Sequence, residues 1–234
     1  MKAHLWRVAA LLVLAFAALQ ASFALRIGAM AFVAPESTTF QRSEAWRLLV
    51  DKHRIAWSQQ WVDDSRIANH LKRAVIASED AGFAEHSGVE WDAIEKAWER
   101  NQRNEARTPA RAKIVGGSTI TQQLAKNLLL SGERTVLRKA QEFAITLMLE
   151  GLLSKRRILE IYLNSVEWGE GLFGAQAAAR HYYRTDAARL GPEQAARLAV
   201  MLPAPKRFEK MPRSAYVSGR AATIVARMEA VELP

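Results

Sequence analysis

The sequence predicts an all-α protein, with one helical domain behind a single N-terminal membrane helix. Apolar residues recur at helical spacing along most of the chain, and hardly any segment alternates as a strand does. Half of the 234 residues are hydrophobic and none is cysteine, which excludes a disordered chain, a disulfide framework and a cysteine nucleophile. The formal charge of +9 predicts a polyanionic partner, and by charge alone this is nucleic acid, anionic lipid or a phosphorylated substrate.

The first predicted element is a membrane anchor. Two basic residues, Lys2 and Arg7, precede an uncharged stretch from Val8 to Leu25, which as a helix would span about 27 Å of hydrocarbon. A cleaved signal peptide is the alternative, but the chain stays apolar as far as Ala34, which favours a retained anchor. The basic flank predicts a cytoplasmic N-terminus with the rest of the chain exported. A nucleic acid partner is therefore not expected.

Domain boundaries follow from the anchor. Residues 1–34 are predicted as the cytoplasmic tip and anchor, 35–62 as a linker or juxtamembrane segment, and 63–234 as the functional domain. At the start of that domain, Asp63-Asp64-Ser65 is expected to cap a helix with an apolar face from Ile67 to Val75.

Further helices are predicted from the apolar spacing. Residues 92–112 begin amphipathic and continue as an arginine-rich surface loop. The next helix opens at Gly116-Gly117, with Thr119 and Gln122 at capping-box spacing, and a long apolar core helix is expected over 133–153. The remaining helices are predicted at 155–164, 174–183, 192–202 and after Ser214.

A first candidate site lies where the helix after residue 63 should end. Glu79 and Asp80 lie there beside unpaired carbonyls, at the negative end of the helix dipole. A carboxylate in that position should have a raised pKa, which suits a general base. Two surface acids in a turn are the alternative, which the local pattern alone favours.

A second candidate site would bind an anion on two successive helices. Free backbone N–H groups at Gly116-Gly117-Ser118, with Lys126 further along the same helix, are typical of such a site. On the following helix Arg134, Arg138 and Glu142 share one face, and two arginines four residues apart repel each other unless an anion lies between them. An ordinary capped helix and a solvated charged face are the alternatives.

A dinucleotide site is excluded although Gly169 to Gly174 match the G-x-G-x-x-G fingerprint. The segment before the match has the apolar periodicity of a helix, and Arg156 and Glu160 are expected to pair one turn apart. Because the chain lacks the strand–helix alternation of a Rossmann fold, the pattern does not indicate NAD binding.

In chain order, five segments resemble the motifs of the peptidoglycan glycosyltransferases, and together they cover roughly residues 60–210. The short exported chain with one anchor resembles the monofunctional biosynthetic members found in Gram-negative bacteria. The matching segments are EDxxFxxHxG from Glu79, GGSTITQQ from Gly116, RKxxE from Arg138, ILExYLNxxxxGxGxxG from Ile158 and EQAARLAxxLPxP from Glu193.

This resemblance implies a lysozyme-like helical fold and an enzyme that polymerises lipid II, the undecaprenyl-diphosphate-linked disaccharide-pentapeptide. Glu79 would deprotonate the 4-hydroxyl of the acceptor sugar, whose oxygen attacks C1 of the growing chain, inverts it to a β-1,4 linkage and expels undecaprenyl diphosphate. Glu142 would be the second catalytic residue, either by ordering the cationic row, the role we favour, or by acting on the donor. The implied substrate-binding residues are Asp80, His86, Ser118, Thr119, Gln122, Gln123, Lys126, Arg134, Arg138 and Asn164.

The resemblance also implies partners and a place in the cell. Lipid II, the growing glycan chain and the membrane are expected partners, together with divisome or elongation proteins, and the catalytic domain is expected in the periplasm at the inner membrane. Mg²⁺ or another divalent cation is expected at the diphosphate, and no organic cofactor is expected. The alternatives are a glycan-cleaving enzyme of the lysozyme or lytic transglycosylase type, which would not need the cationic row, and a non-catalytic membrane-anchored scaffold.

Overall fold

The computed structural model describes residues 2–91, 95, 118–133 and 135–234, most of which are helical. This confirms the prediction of a helical fold with an apolar helix at its N-terminus. The helices are α1 (Lys2–Ala29), α2 (Thr39–Lys52), α3 (Asn69–Glu79), α4 (Ile120–Leu129), α5 (Val136–Leu152), α6 (Lys155–Ser165), α7 (Ala175–Tyr183), α8 (Pro192–Met201), α9 (Pro205–Phe208) and α10 (Ala215–Met228). The strands are β1 (Ser58–Gln59), β2 (Glu167–Gly169) and β3 (Leu172–Phe173).

The three strands form one small sheet in the order β1-β3-β2, in which β3 pairs parallel with β1 and antiparallel with β2. Gly171, in the turn between β2 and β3, has a φ of +70°, and a Cβ built there would lie 2.0 Å from the carbonyl oxygen of Ala56. Gly174, just before α7, has a φ of +83°. The glycines of the G-x-G-x-x-G pattern therefore allow a tight hairpin and a helix start.

α1 combines a segment suited to a membrane with an end that packs into the domain. His4–Ala29 form a helix that is long and apolar enough to cross a membrane. Near its C-terminus Ile27 is fully buried, and Phe23 packs against the same core. Gln20 and Gln141 of α5 exchange two amide hydrogen bonds of 2.9 and 3.0 Å. The helix is therefore docked along α5.

The segment predicted as a linker contains α2. Thr38 caps this helix by accepting a hydrogen bond from the Gln41 N–H, and the Gln41 side chain accepts one from the Thr38 N–H. Gln41, Glu44 and Leu48 are buried, and α2 packs against α4. Because two of these three inward residues are polar, the hydrophobic pattern did not indicate a buried face here.

α3 begins later than the sequence predicts. It starts at Asn69 rather than directly after the acidic run at 63–65, and a single turn of 3₁₀ helix precedes it at Asp64–Arg66. Asp64 does not cap α3, because its carboxylate pairs with Lys72 at 2.6 Å.

The predicted pair between Arg156 and Glu160 is wrong. Arg156 Nε donates to Asp64 at 2.7 Å, and Glu160 instead pairs with Arg157 at 2.8 Å. A carboxylate distant in sequence therefore replaces the local partner that helical spacing offers to Arg156.

The remaining helices lie close to their predicted positions. At the start of α4, Thr119 and Gln122 form the predicted capping box, each accepting a hydrogen bond from the backbone N–H of the other. The core lies where α3 packs on α8 and α10, and where α4 packs on α5 and α6. The predicted amphipathic stretch and arginine-rich loop over 92–112, apart from residue 95, and Gly116-Gly117 lie outside the described residues.

Candidate functional site

A cavity of about 580 Å³ opens beside the first turn of α4. We call its two sides the α4–α5 wall and the α2–β2–α9 wall, after the elements that contribute them. The α4–α5 wall contains Ser118, Gln122, Gln123, Lys126, Asn127, Arg138, Lys139 and Glu142. The α2–β2–α9 wall contains Phe40, Ser43, Val166, Glu167, Leu202, Pro203 and Pro205.

Glu79, the predicted base, is the last residue of α3, and it contacts the α4–α5 wall through Gln123 without itself lining the cavity. Its Oε2 accepts a 3.0 Å hydrogen bond from Gln123 Nε2, and Gln123 Oε1 accepts one from the Tyr162 hydroxyl at 2.9 Å. Burial raises the pKa of Glu79, the hydrogen bonds from Gln123 and Ser78 oppose this, and the charge of Asp80 raises it further. A carboxylate held in this way can take a proton from a hydroxyl group.

Asp80 and His86, both predicted to bind substrate, support the start of α4 from inside the protein. Asp80 Oδ2 accepts a 2.9 Å hydrogen bond from the N–H of Ile120, the first residue of α4. The Gly88 N–H donates to His86 Nδ1, so the proton lies on His86 Nε2, which donates to Asp80 Oδ1 at 2.7 Å. Thr119 is also buried, and its hydroxyl donates to the Gly88 carbonyl. These three predicted residues do not line the cavity.

The α4–α5 wall carries the predicted cationic row. Lys126 is exposed on α4, and Arg138 of α5 donates from Nη1 to Glu142 Oε2 at 2.8 Å. Lys139 pairs with the other oxygen of Glu142, a residue that is only 3% exposed. Arg138 Nε is buried and has no hydrogen-bond partner among the described residues. Arg134 lies outside the described residues, so its place in the row stays a prediction.

This wall is suited to an anion. A buried arginine N–H without an acceptor is unfavourable, and an anionic ligand is one way to satisfy it. Because both oxygens of Glu142 are engaged by Arg138 and Lys139, the geometry supports a role for Glu142 in ordering the row.

The other predicted residues divide between the cavity and the interior. Ser118, Gln122 and Gln123 line the cavity. Asn164 is fully buried: its Oδ1 accepts from the Val62 N–H and its Nδ2 donates to the Val62 carbonyl, each at 2.9 Å. It therefore ties the chain before α3 to α6, and the structure does not bring it to the cavity.

A second charged group, on the α2–β2–α9 wall, was missed by sequence reasoning. Glu167 is 6% exposed, and burial is the main cause that raises its pKa to about 7. Lys206 Nζ lies 3.5 Å from Glu167 Oε1 and 2.5 Å from Glu44 Oε1. These residues come from distant segments, so the only local signal was a lone glutamate between Val166 and Trp168.

Comparison with known proteins identifies the family. The transglycosylase family model matches residues 49–229. The biosynthetic peptidoglycan transglycosylase of Bordetella pertussis is 56% identical over 200 residues, which cover 86% of this chain and 82% of the relative. Relatives of the same name from Paraburkholderia phytofirmans and Burkholderia multivorans are 52% and 54% identical. Those alignments cover 96% and 94% of this chain and 91% and 87% of the relatives.

The chain therefore belongs to the transglycosylase family, and it is a glycosyltransferase. The predicted family, the predicted enzyme class and the helical domain behind an apolar N-terminal helix are confirmed. The matched region includes Glu79, Lys126, Arg138, Glu142 and Glu167. The roles assigned to individual site residues stay predictions.

Proposed function

We propose that the chain polymerises the glycan strands of peptidoglycan from lipid II. The growing strand, carried on undecaprenyl diphosphate, is the donor, and the 4-hydroxyl of lipid II is the acceptor. The names of the relatives, biosynthetic peptidoglycan transglycosylases, support this substrate class. The observation that carries the proposal is a carboxylate with a raised pKa, Glu79, hydrogen-bonded to Gln123, which lines the same cavity as the cationic row.

Glu79 is the base in this reaction. It takes the proton of the 4-hydroxyl while that oxygen forms a bond to C1 of the donor sugar. The bond between C1 and the diphosphate oxygen breaks at the same time, and the diphosphate leaves with the electron pair, which inverts C1 to a β-1,4 linkage. Gln123, held by Tyr162, keeps Glu79 Oε2 oriented, and a base of this kind contributes about 10²–10⁴-fold in rate.

The leaving group needs positive charge more than it needs a proton. A diphosphate already bears negative charge, so fixed cations stabilise the charge that develops on it as the bond breaks. Lys126 and Arg138 supply this charge, and Glu142 holds Arg138 in place. A glycan-cleaving enzyme releases a sugar hydroxyl, which must be protonated, and would have no use for the row. The row therefore favours transfer over cleavage.

A divalent cation such as Mg²⁺ at the diphosphate stays a prediction, and the residues present do not fit an ion held by the protein. No group of three or more His, Asp or Glu suited to a metal occurs in the part of the chain that the structure describes. Glu142 is already paired with two cations. Such an ion would be held by diphosphate oxygens, and no step of the reaction depends on a protein–metal bond.

We place α1 in the cell inner membrane, with the N-terminus in the cytoplasm and the cavity in the periplasm. Lys2 and Arg7 on the short flank support this orientation. α1 packs along α5, which carries Arg138, so a diphosphate held at the bilayer by its undecaprenyl tail would lie near the cationic row. Divisome or elongation proteins stay a predicted class of partner.

Purified full-length protein in detergent, given lipid II and separately finished peptidoglycan, tests the proposal. We expect glycan polymer and undecaprenyl diphosphate from lipid II, and no soluble fragments from peptidoglycan. Fragments from peptidoglycan without polymer from lipid II would identify a cleaving enzyme and contradict the proposal. A scaffold would give neither product.

A further inference from the structure

The α2–β2–α9 wall contains an acidic side chain that the proposed reaction does not use. Glu167 is the first residue of β2 and follows Val166, which also lines the cavity. Its Oε1 is shielded from water and has no hydrogen-bond partner among the described residues. Buried polar atoms without partners are rare in folded proteins, and a bound ligand is one way in which such an atom is satisfied.

A cation lies close to Glu167 but is committed to a different carboxylate. Lys206 Nζ is 3.5 Å from Glu167 Oε1, whereas it is 2.5 Å from Glu44 Oε1. Glu44 is also paired with Arg47, which in turn reaches Glu170 at 2.8 Å. Burial acts to raise the pKa of Glu44, but Arg47 and Lys206 together lower it. Glu44 therefore has two cationic partners at short distance, whereas the cation beside Glu167 lies 3.5 Å from its Oε1.

The surroundings of Glu167 favour its neutral form. Burial is the main cause that raises its pKa, and the charge of Glu44 on α2 raises it further. Lys206 on α9 and the Gly171 backbone lower the pKa, and the result is about 7. Near neutral pH both the protonated and the deprotonated form are therefore populated. Among the described residues, two other titratable groups contact the far end of β2. Tyr182 donates to the Trp168 carbonyl, and Glu209 accepts from the N–H of Glu170, which directly follows the strand.

We propose that Glu167 contacts the bound saccharide and donates a hydrogen bond from its carboxyl O–H to the carbonyl oxygen of an acetamido group. A carbonyl oxygen accepts hydrogen bonds but cannot donate them, so it pairs with a neutral carboxyl group and is repelled by a carboxylate. This inference rests on the proposed function, because the acetamido groups are those of the lipid II sugars. It divides the cavity between a diphosphate side, at the α4–α5 wall, and a sugar side, at the α2–β2–α9 wall.

Equilibrium binding of lipid II to the full-length protein in detergent, at about pH 6 and about pH 8, tests this role. The wild-type Kd should rise about tenfold between the two conditions, because the fraction of protonated Glu167 falls by that factor. Glu167→Gln keeps a donor that does not titrate, so its Kd should stay near the lower wild-type value at both pH values. Glu167→Ala should bind about tenfold more weakly than the wild type at the lower pH, because one hydrogen bond is lost.

Two controls isolate the contact. Glu170→Gln removes an exposed carboxylate from the same hairpin and should leave the wild-type binding and its pH dependence unchanged. Lipid II whose sugars lack the acetamido groups should bind the wild type and Glu167→Ala with the same Kd. Thermal unfolding shows whether each variant is folded, and the near-isosteric Glu167→Gln remains decisive if the alanine variant is not.

Three results would overturn the assignment: a wild-type Kd that does not change with pH, a Glu167→Gln variant that keeps the wild-type pH dependence, or a folded Glu167→Ala variant that binds as the wild type does. These results would leave polymerisation by the wild type intact and so contradict only the role of Glu167. Failure of the wild type to bind lipid II would overturn the proposed function together with this inference.

Discussion

The two walls of the cavity differ in how the chain builds them. On the α4–α5 wall, Lys126, Arg138 and Glu142 come from consecutive helices, and Glu142 fixes Arg138 at helical spacing. On the α2–β2–α9 wall, Glu167 and Lys206 come from distant segments and meet through tertiary packing. The first wall presents positive charge, whereas the second contributes one buried carboxyl group, Glu167, whose pKa is raised. The proposed anion site is thus encoded locally, and the proposed sugar side depends on the completed fold.

The largest loss of activity should come from removing positive charge on the α4–α5 wall. Lys126→Ala and Arg138→Ala are each expected to lower kcat about 10²–10³-fold, because fixed charge at a leaving group acts mainly in the transition state. The initial rate of polymer formation at saturating lipid II measures this. Arg220→Ala removes an exposed cation of α10 that does not line the cavity, and it should keep the wild-type rate. Rates near the wild-type value in both wall variants would argue against the anion site.

A smaller loss of activity is expected from Glu142→Gln, which tests whether Glu142 orders Arg138 or acts on the substrate itself. The neutral amide holds Arg138 and Lys139 less firmly, so kcat should fall about tenfold, less than in Arg138→Ala. If Glu142 acts through Arg138, the double variant should be no slower than Arg138→Ala alone. Losses that multiply in the double variant would instead indicate that Glu142 acts on the substrate itself.

On the α2–β2–α9 wall the expected effect is on stability and its pH dependence, with no loss of rate comparable to that from the α4–α5 wall. Folding raises the pKa of Glu167 from 4.5 to about 7, so the folded state binds this proton more tightly than the unfolded chain does. The stabilising contribution of this proton is complete below the pKa that Glu167 has in the unfolded chain. It is lost as the pH rises through the pKa that Glu167 has in the folded protein. Glu167→Gln should therefore gain up to about 3 kcal/mol of stability relative to the wild type between about pH 4 and about pH 8.

Thermal unfolding in detergent at the two pH values measures this gain. Glu170→Gln is again the matched control, because Glu170 is exposed and its pKa is lowered by its hydrogen bond to Arg47. A difference between wild type and Glu167→Gln that does not change with pH would show that Glu167 does not titrate in this range.

Features set by neighbours along one helix could be predicted from the sequence. Glu79 ends α3 as expected, Thr119 and Gln122 cap α4, and Arg138 pairs with Glu142. Each of these depends on helical spacing of three or four residues or on a helix end, which a sequence displays directly.

Features set by distant partners could not be predicted in this way. Asp64 was expected to cap a helix and instead pairs with Lys72 and Arg156. Asn164 was expected at the substrate and instead bonds to the backbone of Val62, because a sequence does not give the direction of a side chain. Glu167 was missed because its burial depends on how α2 and α9 pack beside β2, which the sequence does not display.

A pair of glutamine variants tests most directly whether Glu79 is the base of a lipid II polymerase. Glu79→Gln should lower the rate of polymerisation by about 10²–10⁴-fold while the protein stays folded and binds lipid II. Glu85→Gln, which changes an exposed carboxylate in the turn after α3, should keep the wild-type rate. The wild-type rate should also rise with pH through the raised pKa of Glu79, because only the deprotonated form accepts the proton. A Glu79→Gln variant that polymerises lipid II as fast as Glu85→Gln would contradict the account.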